Sequence, residues 1–413
     1  MQFRIHRKYL IAFVLAAGFL IPQYSFAADW PGWLGPQRNG VSTETVSPWK
    51  ESPQVVWRIK AGEGHSSPVI AMGKAYIFSK VHGEEAEELT CLDSVTGKKY
   101  WSSPDIRPAF ANQFGNGPRA TPQVGNGKVF THGASGMLVA RDAQSGKILW
   151  RLDTLKEFQG KNLFFGASSS PLLFGDTIVV MVGGKNAGVV ALETDTGKIL
   201  WKSTDDRASY SSPIINPTIT NGVQVLALTQ RGLVCLNATN GQKIWQFGLV
   251  DKLNESSTTP VVQDGKVVIS SVTVGAAQLD LGQDGKQLWK STMLNCYFST
   301  PCHSSDGSLL MMVTGRILPP VASILRCVDP ANGKILWSRP NTGKYHAAIL
   351  RLADGKMLLH DDFGELALFE PDAKEYRELC RSKVGGPTWS HPALADGLLY
   401  LRDEKELTCL KLP

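Results

Sequence analysis

Between Thr121 and Asp153 the chain reads TPQVGNGKVFTHGASGMLVARDAQSGKILWRLD, with its apolar residues in short β-rich bursts that partly alternate with polar ones. That pattern predicts four strands, TPQV, KVFTH, MLVARD and KILWRL, because a half-buried strand repeats its buried face every two residues. The segments between them, GNG, ASG and AQSG, supply residues that accept the positive φ of tight hairpins.

The same phrase recurs along the chain. ARDAQSGKILW (140–150) returns as CLDSVTGKKYW (91–101), ALETDTGKILW (191–201), CLNATNGQKIW (235–245) and CVDPANGKILW (327–337). The tryptophans that close these phrases and their relatives, Trp57, Trp101, Trp150, Trp201, Trp245, Trp289 and Trp337, are separated by 44, 49, 51, 44, 44 and 48 residues. Four antiparallel strands in a period of that length predict a β-propeller blade. In this reading the Asp and Gly of the phrase make the hairpin into the outer strand, and the Trp fills the space between blades, where its N–H needs a partner. The seventh unit departs from the pattern, since FEPDAKEYRELC (369–380) has no Trp.

Blade starts are marked by Ser67-Pro68, Thr121-Pro122, Ser170-Pro171, Ser212-Pro213, Thr259-Pro260, Thr300-Pro301, a degenerate His346-Ala347, and His391-Pro392. Proline is tolerated at the first residue of a strand. The last unit stops after its third strand, while a spare outer strand, QVVWRIK around Trp57, precedes the first. Pairing the two closes the ring and removes its open edges. The expectation is an all-β fold, a single eight-bladed propeller over residues 53–413 preceded by an N-terminal extension, 28–52.

The repeated phrase resembles the tryptophan-docking repeat of the pyrroloquinoline quinone (PQQ) propellers, over nearly all of the chain after residue 27. That family contains quinoprotein dehydrogenases and non-enzymatic scaffolds. The short form without large insertions is more similar to the propeller subunit of the outer-membrane β-barrel assembly machinery. The resemblance implies a scaffold whose partner is another periplasmic or envelope protein, with no catalytic residues, metal or cofactor. Its alternative is a dehydrogenase of alcohols or sugars that uses PQQ with Ca²⁺. Such enzymes stack the quinone between a Trp and a ring made by two adjacent cysteines, and this chain has no Cys-Cys pair.

The first residues change the picture of where this happens. Arg4, Arg7 and Lys8 precede the apolar run YLIAFVLAAGFLIP and the small residues SFAA, the pattern of a secretory signal over residues 1–27, cleaved near Ala27-Ala28. No later segment is apolar enough to span a membrane, and no Cys precedes Cys91 to carry a lipid anchor. Those three cations supply half of the net charge of +6. What remains holds no basic run that would argue for nucleic acid. Among the seven cysteines, Cys91, Cys235, Cys327 and Cys409 share one place in the repeat and read as small buried residues, whereas Cys296 and Cys302 are near enough in sequence to bridge.

Ligand chemistry, if present, belongs at the channel mouth, where the loops before the innermost strands converge. Those loops carry Glu63, His65, Arg119, Tyr210, Tyr297, Lys344, Tyr345, His346, Trp389 and His391. Arg119 and Lys344 could pair the carboxylates of a flat anion while an aromatic ring stacks on it. In the dehydrogenase alternative Trp389 stacks on the quinone and Glu63 or a His acts as base. Solvated polar side chains that cap strand ends are the competing reading. Asp361-Asp362, in LLHDDFGELALF, reads as a solvated hairpin turn or a cation site. Two aromatic stretches outside the repeat, 28–50 with Trp30, Trp33 and Trp49, and 154–167 with Phe158, Phe164 and Phe165, are expected to fold back as a plug or to anchor a partner.

Overall fold

The computed structural model of the protein describes residues 29–216, 222–315 and 321–413. The expected leader, residues 1–27, and its expected cleavage site near Ala27-Ala28 lie outside the described residues. Eight sheets of four antiparallel strands form a closed ring, an eight-bladed propeller with almost no helix. Each blade runs from its innermost strand outwards, as blade 2 does through Gln123–Gly125, Lys128–His132, Met137–Asp142 and Ile148–Asp153. Blade 8 takes its outer strand from the other end of the chain: Gln54–Lys60 pairs with Glu406–Lys411, placing Trp57 opposite Cys409.

The repeated phrase is a self-contained joint. In blade 1, Asp93 accepts the N–H groups of Val95 and Thr96, which fixes the turn into the outer strand. Gly97 then adopts φ +69°, and the Trp57 indole of the preceding blade lies so close that a Cβ at position 97 would come within 2.7 Å of it. The indole N–H donates to the Ser94 carbonyl at 2.9 Å. The same contact recurs for Trp150 over Gly197, Trp201 over Gly241 and Trp289 over Gly333, with N–H bonds of 2.8–2.9 Å to Thr194, Ala238 and Pro330. Trp101 and Trp245 cover Gly146 and Gly285, and Trp337 donates to the Asp372 carbonyl. The Trp101 N–H has no partner, and Tyr76 donates its hydroxyl to the matching carbonyl of Ala143.

Where the phrase lapses, another segment completes it. Cys380 holds the Trp position of blade 7, opposite Leu368. Trp49 of the N-terminal extension packs there, its indole donating to Ser382 Oγ at 2.9 Å, and it is buried in the cluster that joins blades 7 and 8.

Around the axis, the Ser/Thr-Pro pairs stitch the blades together. Backbone N–H groups of Ser67, Thr121, Ser170 and Thr259 donate to hydroxyls of Thr121, Ser170, Ser212 and Thr300. The His391 N–H closes the circuit on Ser67 Oγ. Each bond satisfies a buried backbone donor at the start of a strand that has no inner neighbour.

The N-terminal extension plugs the channel from the face opposite the mouth. Trp30 bridges to Ile70 of the blade 1 inner strand, Arg38 donates to the Ser170 and Pro171 carbonyls and to Gln123, and Val41 bridges to Arg351 of blade 7. Between them Trp33 reaches into the channel, where its indole N–H bonds Thr259 Oγ1 at 2.8 Å. All seven cysteines are free thiols, Cys296 and Cys302 included.

Candidate functional site: the channel mouth

Loops that enter the innermost strands, together with the hairpins between second and third strands, make one face of the ring. The insertion 154–167 folds over this face. A one-turn helix, Thr154–Glu157, capped by Asp153 starts it, Phe158 is buried, and Phe165 turns into the channel while Phe164 stays outside. Below the mouth lies a cavity of about 90 Å³ lined by Trp33, His65, Arg119, Phe165, Tyr210, Phe298, Trp389 and four serines. Trp33 is its floor, so the plug decides how deep the channel is.

Above it opens a larger vestibule, about 560 Å³, shared by His65 and Trp389 with the inner cavity and otherwise lined chiefly by Glu63, Phe114, Lys344, Tyr345, Asp362, Phe363 and Glu404. Its volume falls in the range of small-molecule and side-chain binding sites. Trp389 is the wall between the two spaces: its ring lies 4.9 Å from His65, 5.3 Å from Phe298 and 6.0 Å from Phe114.

Electrostatics differ between the chambers. Arg119 is the cation of the inner one, and its guanidinium is spent on the loop above it, donating to the Phe114, Gly115 and Gly117 carbonyls. Burial lowers it to about 10. His65, beside it, donates Nε2–H to the Phe114 carbonyl at 3.1 Å, and burial with the Arg119 charge brings it down to about 4, so it is neutral at neutral pH. The vestibule holds three carboxylates, Glu63, Asp362 and Glu404, against the single ammonium of Lys344, which sits over the Tyr345 ring at 5.0 Å. Asp362 is turned into its own loop, accepting the N–H groups of Lys344 and Tyr345 at 2.7 Å each and of His346 at 3.2 Å. Burial raises its carboxyl. Glu63 uses one oxygen on the Asn116 N–H, and Glu404 is exposed.

The residues singled out in the sequence therefore divide. His65, Arg119, Tyr210 and Trp389 share the inner cavity, and Glu63, Lys344 and Tyr345 line the vestibule. Arg119 and Lys344 face different chambers. Tyr297 donates to Glu255 at 3.1 Å and stacks on Phe298 at 3.9 Å. His346 and His391 are buried below the site, their rings 4.9 Å apart, with His346 Nδ1–H on the Phe298 carbonyl and His391 edge-on to Trp33 at 4.6 Å. Both are pushed down by burial, His346 to about 4. Asp361 and Asp362 are buried rather than solvated, each accepting backbone N–H groups of its own loop, while Phe363 beside them is exposed. Phe114, Phe298, Phe363 and Glu404 belong to the site without a signal in the sequence, since each sits in a loop of ordinary composition.

The family model described as outer membrane protein assembly factor BamB matches residues 85–318, more than half of the chain. The chain belongs to this family. Among curated relatives it is similar to the quinoprotein alcohol dehydrogenase PedH of Pseudomonas putida, 29% identical over 58% of this chain and 42% of that protein. It is likewise similar to the outer membrane protein assembly factor BamB of Shewanella oneidensis, 23% identical over 65% of this chain and 68% of that one. It thus spans less than half of the dehydrogenase. Among solved structures, a europium-containing methanol dehydrogenase superposes with a TM-score of 0.69 at 12% identity over 92% of this chain and 89% of that one. BamB from Moraxella catarrhalis does so with 0.62 at 14% identity over 88% and 98%. At such identities the superpositions speak for the fold alone.

Proposed function

We propose that the protein is a secreted or periplasmic propeller scaffold, without covalent chemistry, that holds another envelope protein on the face where its channel opens. The observation that carries this reading is that the channel is filled by the chain itself. Trp33 closes it from below, Phe165 and Phe298 from the sides, and Arg119 spends its hydrogen bonds on loop carbonyls. Around the opening, apolar side chains face outwards instead: Phe114, Phe164 and Phe363. All come from loops or hairpins of the same face. A rim of this kind is what a docking surface presents.

The likeness to PedH keeps a quinone-dependent dehydrogenase as the alternative, and the residues here do not fit its cofactor. PQQ is a planar tricarboxylate, too large for the inner cavity, and in the vestibule it would face three carboxylates and one ammonium.

The test is titration of the purified protein, without residues 1–27, with PQQ and Ca²⁺, followed by Trp fluorescence and dye-linked oxidation of simple alcohols and sugars. The expected outcome is neither saturable binding nor turnover. Turnover that disappears in Arg119→Ala or Trp389→Ala would replace the scaffold by the enzyme.

A further inference from the structure

The vestibule is built for positive charge. Its walls carry aromatic rings, Trp389, Phe114, Tyr345 and Phe363, and its charged groups are three carboxylates against one ammonium. A cation over an aromatic face is attracted by the ring's quadrupole, more strongly where water is excluded. The vestibule itself already shows the pairing, in the Lys344 ammonium over Tyr345 at 5.0 Å. Glu63 keeps one carboxylate oxygen free of its bond to Asn116, and Glu404 stands exposed at the opening. The other charges nearby are committed elsewhere. Arg119 holds loop carbonyls beneath His65, His65 is neutral, Lys383 donates to the Phe363 carbonyl, and Asp403 accepts the Gly386 N–H from behind.

Resting on the scaffold reading, we propose that the vestibule receives a basic side chain, an arginine or lysine, presented by an extended loop of the partner protein. The cationic head enters between Glu63 and Glu404 against Trp389 and Phe114. The residues flanking it cover the outward aromatics of the rim, Phe114, Phe164 and Phe363, which are 40%, 58% and 51% exposed. This collar distinguishes a side chain on a loop from a free organic cation, which would fill the vestibule and leave Phe164 in water. Charge complementarity chooses the sign, and the apolar collar chooses a polypeptide as the source.

The probe is an acetylated and amidated pentapeptide with a central arginine between two leucines, titrated calorimetrically into the protein without its leader. It is compared with the same peptide carrying citrulline, which has the shape of arginine without the charge, and with acetyl-arginine amide alone. The expected result is saturable binding of the arginine peptide, at least about tenfold weaker for citrulline and for the single amino acid, a difference of about 1.4 kcal/mol. Glu63→Gln and Glu404→Gln weaken it, and Lys344→Met strengthens it by removing a like charge. An anionic ligand would respond to all three substitutions in the opposite sense. Equal affinity for arginine and citrulline peptides, no saturable binding, or a Lys344→Met variant that binds more weakly overturns the proposal. Equal affinity for acetyl-arginine amide overturns the polypeptide source. These failures are separable from failure of the scaffold itself, which would show as quinone-dependent turnover. Unchanged melting temperatures of the three variants exclude misfolding as the cause.

Discussion

At the scale of single residues, the joint between blades is a glycine under a tryptophan. Gly197 and Gly127 share nearly the same left-handed backbone, φ +71° and +70°, but a Cβ at 197 would meet the Trp150 ring at 2.8 Å while one at 127 meets nothing within 4 Å. Gly127→Ala is expected to cost only the backbone penalty, about 1–2 kcal/mol. Gly197→Ala should cost at least about 1 kcal/mol more, read by denaturant unfolding, because the indole must move. The buried histidines set a pH dependence. His132, His303 and His346 are depressed by burial to about 4 and His360 to about 3, below their ordinary 6.5. Between those values the unfolded chain binds more protons than the folded one, so stability rises with pH there. It is complete above 6.5 and is lost as pH falls towards 4. Buried Glu87 and Asp362, whose carboxyls are raised, act in the opposite sense from lower starting values. The melting temperature is expected to drop by at least about 5 °C between about pH 7.5 and about pH 5. The Asp, Gly and Trp of the phrase disclosed their roles in sequence because the phrase recurs from blade to blade, and with it the contact of each Trp on the next blade's Gly. The Ser/Thr of each blade start was legible only as a mark beside proline, and its hydroxyl accepts the preceding blade's backbone N–H, some 40–50 residues away.

At the scale of elements, the N-terminal extension does two jobs that its sequence left open between plug and partner anchor. It fills the channel with Trp33, and it replaces with Trp49 the indole that blade 7 lacks. Trp49→Ala should therefore destabilise by about 3–5 kcal/mol, as loss of a buried tryptophan does, although this residue lies outside every blade. Trp33→Ala should cost less, because its ring borders a cavity, and should enlarge the space above it. Thermal unfolding of the two variants checks the order, and equal costs would contradict it. The insertion 154–167 divided unexpectedly: Phe158 and Phe165 went inwards and only Phe164 remains for a partner. Sequence marks such a segment as aromatic, but which ring turns in depends on Tyr210 and Phe298 arriving from blades 4 and 6 to receive Phe165.

At the scale of the whole molecule, ring closure was legible because a missing fourth strand at one end matched a spare outer strand at the other. The site was less so. Arg119 and Lys344 looked like one pair for a flat anion, yet the wall formed by His65 and Trp389 puts them in separate chambers, and two acids from blade 7 and blade 8 loops, Asp362 and Glu404, reverse the charge of the larger one. What the assembled ring offers is a rigid face with a closed centre and an apolar, outward-facing rim. The account's central claim is that a protein partner sits on that face. The most direct measurement is photocrosslinking in the host cell from benzoylphenylalanine placed at position 164, compared with position 72 on the opposite face, where Met72 is equally exposed. The account predicts a discrete crosslink to another envelope protein from 164 and none from 72; crosslinking from neither position, or from 72 alone, would contradict it.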